Sequence, residues 1–157
     1  MTDSEFWEVI ALFDWGKSGD DDAVLEPARI ALAGMSVDKI YAFDDRLSEK
    51  LHSLDTRAHC KACYDGELDP DNDDDYISPD DFLYSRCVVV ANGRKLYDAA
   101  LADPTKMPQG IEFESILYLA ESAFEQKTGG DYDHVTAVDH ESFQNADGWQ
   151  PTNTEIG

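Results

Sequence analysis

Residues able to do chemistry gather first at His59-Cys60-Lys61-Ala62-Cys63, a Cys-x-x-Cys pair with His52 upstream. Tetrahedral zinc takes thiolate and imidazole ligands at such spacing, and a thioredoxin-like site uses the same pair for thiol–disulfide exchange. Neither frame is complete. The remaining cysteine, Cys87, lies in the apolar run Cys87-Val88-Val89-Val90-Ala91, and no βαβ pattern surrounds the pair. Cys60 and Cys63 are therefore read as small core residues on a short helix. The second collection is the acidic stretch 65–75, in which Asp69, Asp71, Asp73 and, beyond it, Asp80 fall at positions one, three, five and twelve of a calcium-loop template. Asp74 stands where that template needs glycine, Asp80 where it needs a bidentate glutamate, and Pro70 sits inside it, so a solvated acidic loop is expected. Adjacent carboxylates such as Asp44-Asp45 and Asp80-Asp81 are read as solvated faces and helix caps, since acid–base catalysis needs one carboxyl raised by burial. No Gly-x-Ser-x-Gly, phosphate-cradling glycine loop or His-Glu-x-x-His is present. No catalytic residue, metal or cofactor is assigned, and the chain is expected not to be an enzyme.

Charge narrows the partners. Among 157 residues, 34 are Asp or Glu and 12 are Lys or Arg, a formal net charge of -22. A nucleic-acid binder gains affinity by neutralising phosphates with cations, so this chain would be repelled, and an anionic membrane surface is excluded likewise. What remains is a basic partner, metal cations, or acidity that serves solubility or a salt-rich habitat. The acidic opening Met1-Thr2-Asp3-Ser4-Glu5 lacks the basic start and apolar stretch of a secretory leader. With an odd cysteine number, this predicts a cytoplasmic protein.

The elements that must position these residues read as helices. Ser4 is the expected N-cap of a first helix carrying Phe6, Trp7, Ile10 and Phe13 and ending near Trp15-Gly16. Asp20-Asp21-Asp22 opens a second, with Pro27 tolerable only near its first turn. Ser36 caps a third, whose Ile40, Phe43, Leu47, Leu51 and Leu54 form a stripe at three-and-four spacing. A short helix over 58–64 precedes the acidic loop. Ser78-Pro79-Asp80-Asp81 begins another, with Ser at the cap and Pro at the first position. Leu96, Tyr97, Ala100 and Leu101 mark the next, and a last long helix is expected over 111–127. The class is all-α: one compact orthogonal bundle of about six helices, occupying 1–128. A polar tail, 129–157, follows and is expected to dock on the same domain through Phe143 and Trp149, with His134 and His140 exposed.

Several blocks share a family pattern. Glu5-Phe6-Trp7-Glu8-Val9-Ile10 resembles the Phe-Trp-x-x-Ile opening of the bacterial family known as domain of unknown function 4240. Leu32 to Asp44 is similar to its Leu…Ser-x-x-x-Ile-x-x-Phe segment. Ser78-Pro79-Asp80-Asp81-Phe82-Leu83-Tyr84-Ser85-Arg86 and Asn92-Gly93-Arg94-Lys95-Leu96-Tyr97 continue the match in order. Arg57-Ala58-His59-Cys60 departs from that family's Leu-Trp-x-Ala, and the acidic stretch replaces a short turn. The resemblance implies a helical domain and transfers no catalytic residue. Small acidic bacterial families of this kind resemble immunity proteins encoded beside secreted toxins, which is an analogy of class.

That analogy and the charge together lead to an immunity-type protein that occludes a basic toxin domain, such as a nuclease, after electrostatic steering. The expected contacts are Asp71, Asp73, Asp74, Asp75, Asp80 and Asp81, with Tyr76 as aromatic anchor. One alternative is a metal-binding or regulatory enzyme domain using the acidic loop or His59, Cys60 and Cys63. Another is a DNA-mimicking inhibitor.

Overall fold

The structure, a computed structural model, describes residues 1–64 and 78–150. Among these residues seven α-helices occur and no strand, so the chain is all-α as its periodicity indicates. The helices are α1 (Asp3–Ile10), α2 (Asp21–Ala33), α3 (Val37–Ser53), α4 (Arg57–Cys63), α5 (Pro79–Ala91), α6 (Arg94–Ala102) and α7 (Leu119–Thr128). Three 3₁₀ turns lie between them, at Trp15–Lys17, Pro104–Lys106 and Glu114–Tyr118, and a fourth, Ala146–Trp149, follows α7. No described helix is long and apolar enough to cross a membrane.

Helix starts follow their side-chain caps. The hydroxyls of Ser36 and Ser78 accept the N–H groups of Lys39 and Asp81, as the sequence predicts for α3 and α5. At α1 the cap is Thr2 rather than Ser4. Thr2 accepts from the Glu5 N–H while the Glu5 carboxylate takes the Thr2 N–H, a reciprocal capping box. The first helix also ends at Ile10, and Trp15 belongs to a separate turn. Pro27 lies inside α2, in its second turn, and α2 continues past it to Ala33. The last helix is shorter than the apolar spacing suggests. Gly110 has φ of +70°, and Glu114–Tyr118 winds as a 3₁₀ turn, so α7 starts only at Leu119. Gly129, at φ +70°, closes it in the left-handed conformation that glycine adopts without a Cβ clash.

The core is one cluster. The α3 stripe of Ile40, Phe43, Leu47 and Leu51 is fully buried, each side chain contributing roughly 1.5–3 kcal/mol by leaving water. Phe6 stacks on Phe43 at a centroid distance of 5.1 Å, tying α1 to α3. Helix α5 is buried on nearly every side, from Phe82 to Ala91, and so carries Val88-Val89-Val90 as a central helix rather than a strand. Against that helix pack α3, α4, α6 and the Glu114–Tyr118 turn, while α2 and α7 pack on each other and on α3.

Candidate functional site

A cleft of about 240 Å³ opens between the Trp15 turn and the segment 111–113, floored by Val24 of α2 and Val88 of α5. Its walls are held from several elements. The Trp15 ring packs on Phe113 at 5.2 Å, the Phe113 N–H donates to the Tyr84 carbonyl at 3.3 Å, and the Ser85 hydroxyl donates to the Ile111 carbonyl. Trp15, Ile111 and nearby Tyr118 are 39%, 52% and 51% exposed, large side chains on a surface where such residues seldom stand together. Acids surround them. Asp21 enters the cleft rim and accepts from the Ser115 hydroxyl at 2.8 Å, Glu112 lines the other side, and Glu114 accepts from the Tyr84 and Tyr118 hydroxyls at 3.1 and 3.0 Å.

Asp80 and Asp81, exposed in the first turn of α5, complete this face. Burial of its surroundings, then the charges of Asp81 and Glu114, lift the Glu112 carboxyl above the ordinary range. Every Lys and Arg of the chain lies among the described residues. Those in ion pairs pair elsewhere: Arg29 with Glu26, Lys39 with Glu5, Lys50 with Asp3, Arg46 with Glu49, Arg94 with Asp98. Among the described residues, none forms an ion pair with Asp21, Asp80, Asp81, Glu112 or Glu114. The face is predominantly negative, with Lys17 in the Trp15 turn and Arg29 beside Tyr118 as its basic neighbours.

Of the expected contact residues, then, Asp80 and Asp81 stand on this face. Asp71, Asp73, Asp74, Asp75 and Tyr76, with the calcium-like Asp69, lie outside the described residues. Trp15, Asp21, Ile111, Glu112 and Glu114 had no part in the expected set, because no local motif joins segments so far apart in sequence.

The Cys-x-x-Cys segment is built as core. Cys60 and Cys63 are buried on α4, and the Cys63 thiol donates to the Cys60 carbonyl. His59 is buried with both ring nitrogens engaged, Nδ1 with the Thr56 hydroxyl at 2.6 Å and Nε2 with the Ala100 carbonyl at 2.8 Å. Burial pushes the Cys60 thiol up to about 12, and the same cause does so at Cys87. Among the described residues no group of three or more His, Cys, Asp and Glu side chains is placed to hold a metal.

The polar residues of α3 serve a different purpose from the solvated face expected of Asp44-Asp45. One row of that helix, continued into the turn after it, receives the segment 131–149. Asp44 is buried and accepts from the Tyr132 hydroxyl at 2.7 Å, and its loss of water raises its carboxyl above the usual range. Asp45 meets His134 Nε2 at 2.9 Å, Ser48 meets His140 Nδ1 at 3.1 Å, and His52 Nδ1 meets the Asp139 carbonyl at 3.0 Å. His134 and His140 are thus half-buried, not exposed.

Asp55, with 0% exposure, ends the row. Its two oxygens accept the N–H groups of Phe143, Gln144 and Asn145 and the indole N–H of Trp149, all at 2.8–2.9 Å. Three consecutive backbone donors converge on one anion because Phe143 takes a φ of +70°, forming a nest. Alongside, fully buried Arg86 donates to the carbonyls of Leu51 and His140 and to the Ser142 hydroxyl, with its guanidinium 4.5 Å over the Phe82 ring.

Helical architecture, a core centred on α5 and an acidic face whose carboxylates form no ion pair among the described residues define a small acidic all-α domain. The chain belongs to the family described as Protein of unknown function (DUF4240), which matches residues 1–126. The cleft falls within the matched residues; the segment clipped by Asp55 follows them. No curated protein and no solved structure matches the chain.

Proposed function

We propose that this protein is an immunity-type binding protein that neutralises a basic toxin domain, such as a nuclease, by covering its active site. The observation that carries this reading is the acidic face around exposed Trp15, Ile111 and Tyr118, whose carboxylates form no ion pair among the described residues. Binding surfaces with large consequences per residue combine aromatic anchors with a polar rim. The net charge of -22 adds long-range attraction for a cationic partner. Steering of this kind brings association toward ~10⁸ M⁻¹s⁻¹ at low salt. Asp80 and Asp81 belong to the proposed contact set, joined by Glu112 and Glu114, and the loop residues Asp71, Asp73, Asp74, Asp75 and Tyr76 extend it in sequence.

The test is inhibition. A basic protein domain captured from the native host is assayed for its own activity, nucleolytic or other, with increasing amounts of the purified chain. Loss of that activity at stoichiometric protein, and protection of cells that co-express the two, is the expected result. Full activity in the complex would remove neutralisation from the account. If DNA competes for the same captured protein, the carboxylates imitate phosphates and the partner is a nucleic-acid-binding protein.

A further inference from the structure

We infer that the cleft between the Trp15 turn and the Ile111–Phe113 segment is a socket for one arginine side chain of a basic protein partner. The inference rests on the binding reading above for its source of arginine, and it names the chemistry that reading leaves open.

Three features of the cleft select that occupant. First, its floor is apolar: Val24 and Val88 would cover the methylene stem, which a long cationic side chain buries readily while its head stays polar. Second, Trp15 stands at the mouth with its ring braced edge-on by Phe13 and tilted against Phe113, at 6.3 and 5.2 Å. Being braced, it offers a fixed indole face, and a guanidinium stacks on such a face better than an ammonium does. Third, Asp21 and Glu112 both line the opening, two carboxylates across one cleft, and a planar fork of five donors can address both at once. Asp81 beside Glu112 adds to the negative potential there. Lys17 belongs to the same turn as Trp15 but forms no ion pair among the described residues.

A larger groove shares the apolar lining but differs at its mouth. It is about 440 Å³, lies along α1 beside Met35, and its Glu5 is already paired with Lys39 at 3.2 Å. Without an aromatic ring at its mouth, and with Lys39 among its lining residues beside Glu5 and Glu8, it lacks the braced indole face that the Trp15 cleft offers a guanidinium.

The experiment is an NMR titration of the full-length ¹⁵N-labelled chain at low salt. The probe is the blocked tripeptide acetyl-Gly-Arg-Gly-amide, with its lysine and citrulline counterparts as controls. The expected result is a saturable shift of the Trp15 indole N–H and the Ile111 and Glu112 amides with the arginine peptide. The lysine peptide binds the same resonances more weakly, and neutral citrulline leaves them still. Trp15→Ala should weaken binding roughly threefold or more, the range that a stacked cation contributes. Trp15→Phe, which keeps a ring, should recover part of it, and spectra of the variants report whether they remain folded.

Equal shifts with citrulline would overturn the inference, as would unsaturated shifts spread over all the acidic residues. Equal binding of lysine would reduce the cleft to an unspecific cation site, and calcium moving the same resonances would make it a metal site; each refutes the assignment to arginine. Failure of the toxin reading leaves this titration unaffected, because the probe is a peptide and no toxin is present. A peptide that does not bind, with a basic protein still captured, refutes the socket alone.

Discussion

Replacing Asp55 should release the segment 139–149 from the helical body. Its carboxylate is fully buried and accepts four hydrogen bonds, two on each oxygen. Asp55→Ala would leave four buried donors without an acceptor. Asp55→Asn keeps one carbonyl oxygen but turns an amide NH₂ toward two N–H groups, so the conservative change is nearly as damaging. Each bond to a charged acceptor contributes roughly 1.5–3 kcal/mol, but such bonds are not additive once the segment can peel away and reach water. Removing one partner from a buried charged arrangement costs about 3–5 kcal/mol, which sets the expected loss for a segment that stays docked.

Phe143 adds to the tension, since a left-handed non-glycine conformation stores on the order of 1–3 kcal/mol that the nest must hold. Peeling returns that strain, so release is the expected response. Urea unfolding followed by circular dichroism gives the global loss, and hydrogen exchange at 143–145 reports the local opening. A loss below about 1 kcal/mol with those amides still protected would refute the account of the nest.

Other outcomes follow from the same geometry. Asp44 has its carboxyl raised by burial, so the folded state holds its proton more firmly than the unfolded chain does. Its contribution to stability therefore falls as pH rises through the ordinary carboxylate range toward the raised folded value. Asp44→Asn should stabilise the protein at neutral pH while keeping an acceptor for Tyr132, and the gain should vanish in acid; melting curves across pH check this, and a variant less stable at neutral pH would contradict it. Gly148→Ala would place a Cβ 2.6 Å from the Asp55 carbonyl oxygen and 2.9 Å from Thr56, so it should loosen the 146–149 turn, seen as faster exchange there with little change in the core. Cys60 and Cys87, with thiols pushed up to about 12, should resist alkylation until the protein unfolds. Labelling of either in the native protein followed by mass spectrometry would contradict their burial.

Much of the fold is legible because local signals agree. At α3 and α5 a serine cap and first-turn acids precede an apolar run, and both helices start where those signals place them. The 111–127 segment misleads because Phe113, Ile116, Leu117, Ala120 and Phe124 suit a helical spacing, yet the helix begins only at Leu119 and Ile111 turns outward to the cleft. Thr2-x-x-Glu5 was the readable sign of the true start of α1.

The docking of 131–149 also left a trace. Asp44, Ser48, His52 and Asp55 recur at helical intervals beside the apolar stripe, a polar row where a solvated face would be the plain reading. Opposite it, Tyr132, His134, Thr136, Val138 and His140 alternate with exposed neighbours, the period-two pattern of an extended chain lying on a surface. The acidic face was half legible. Asp80 and Asp81 announce themselves at a helix start, but Glu112 and Glu114 join them through bonds across the fold, from Phe113 to Tyr84, Ser85 to Ile111 and Tyr84 to Glu114.

The measurement that bears most directly on the central claim is affinity capture from the native host at low salt, eluted by a salt gradient. The wild-type chain is compared with Asp80→Lys/Asp81→Lys/Glu112→Lys, all three exposed and outside the core. The account predicts one basic protein domain held by the wild type, released at raised salt, and released from the variant at clearly lower salt. Nothing specific retained by the wild type, or identical elution from the charge-reversed variant, would contradict it.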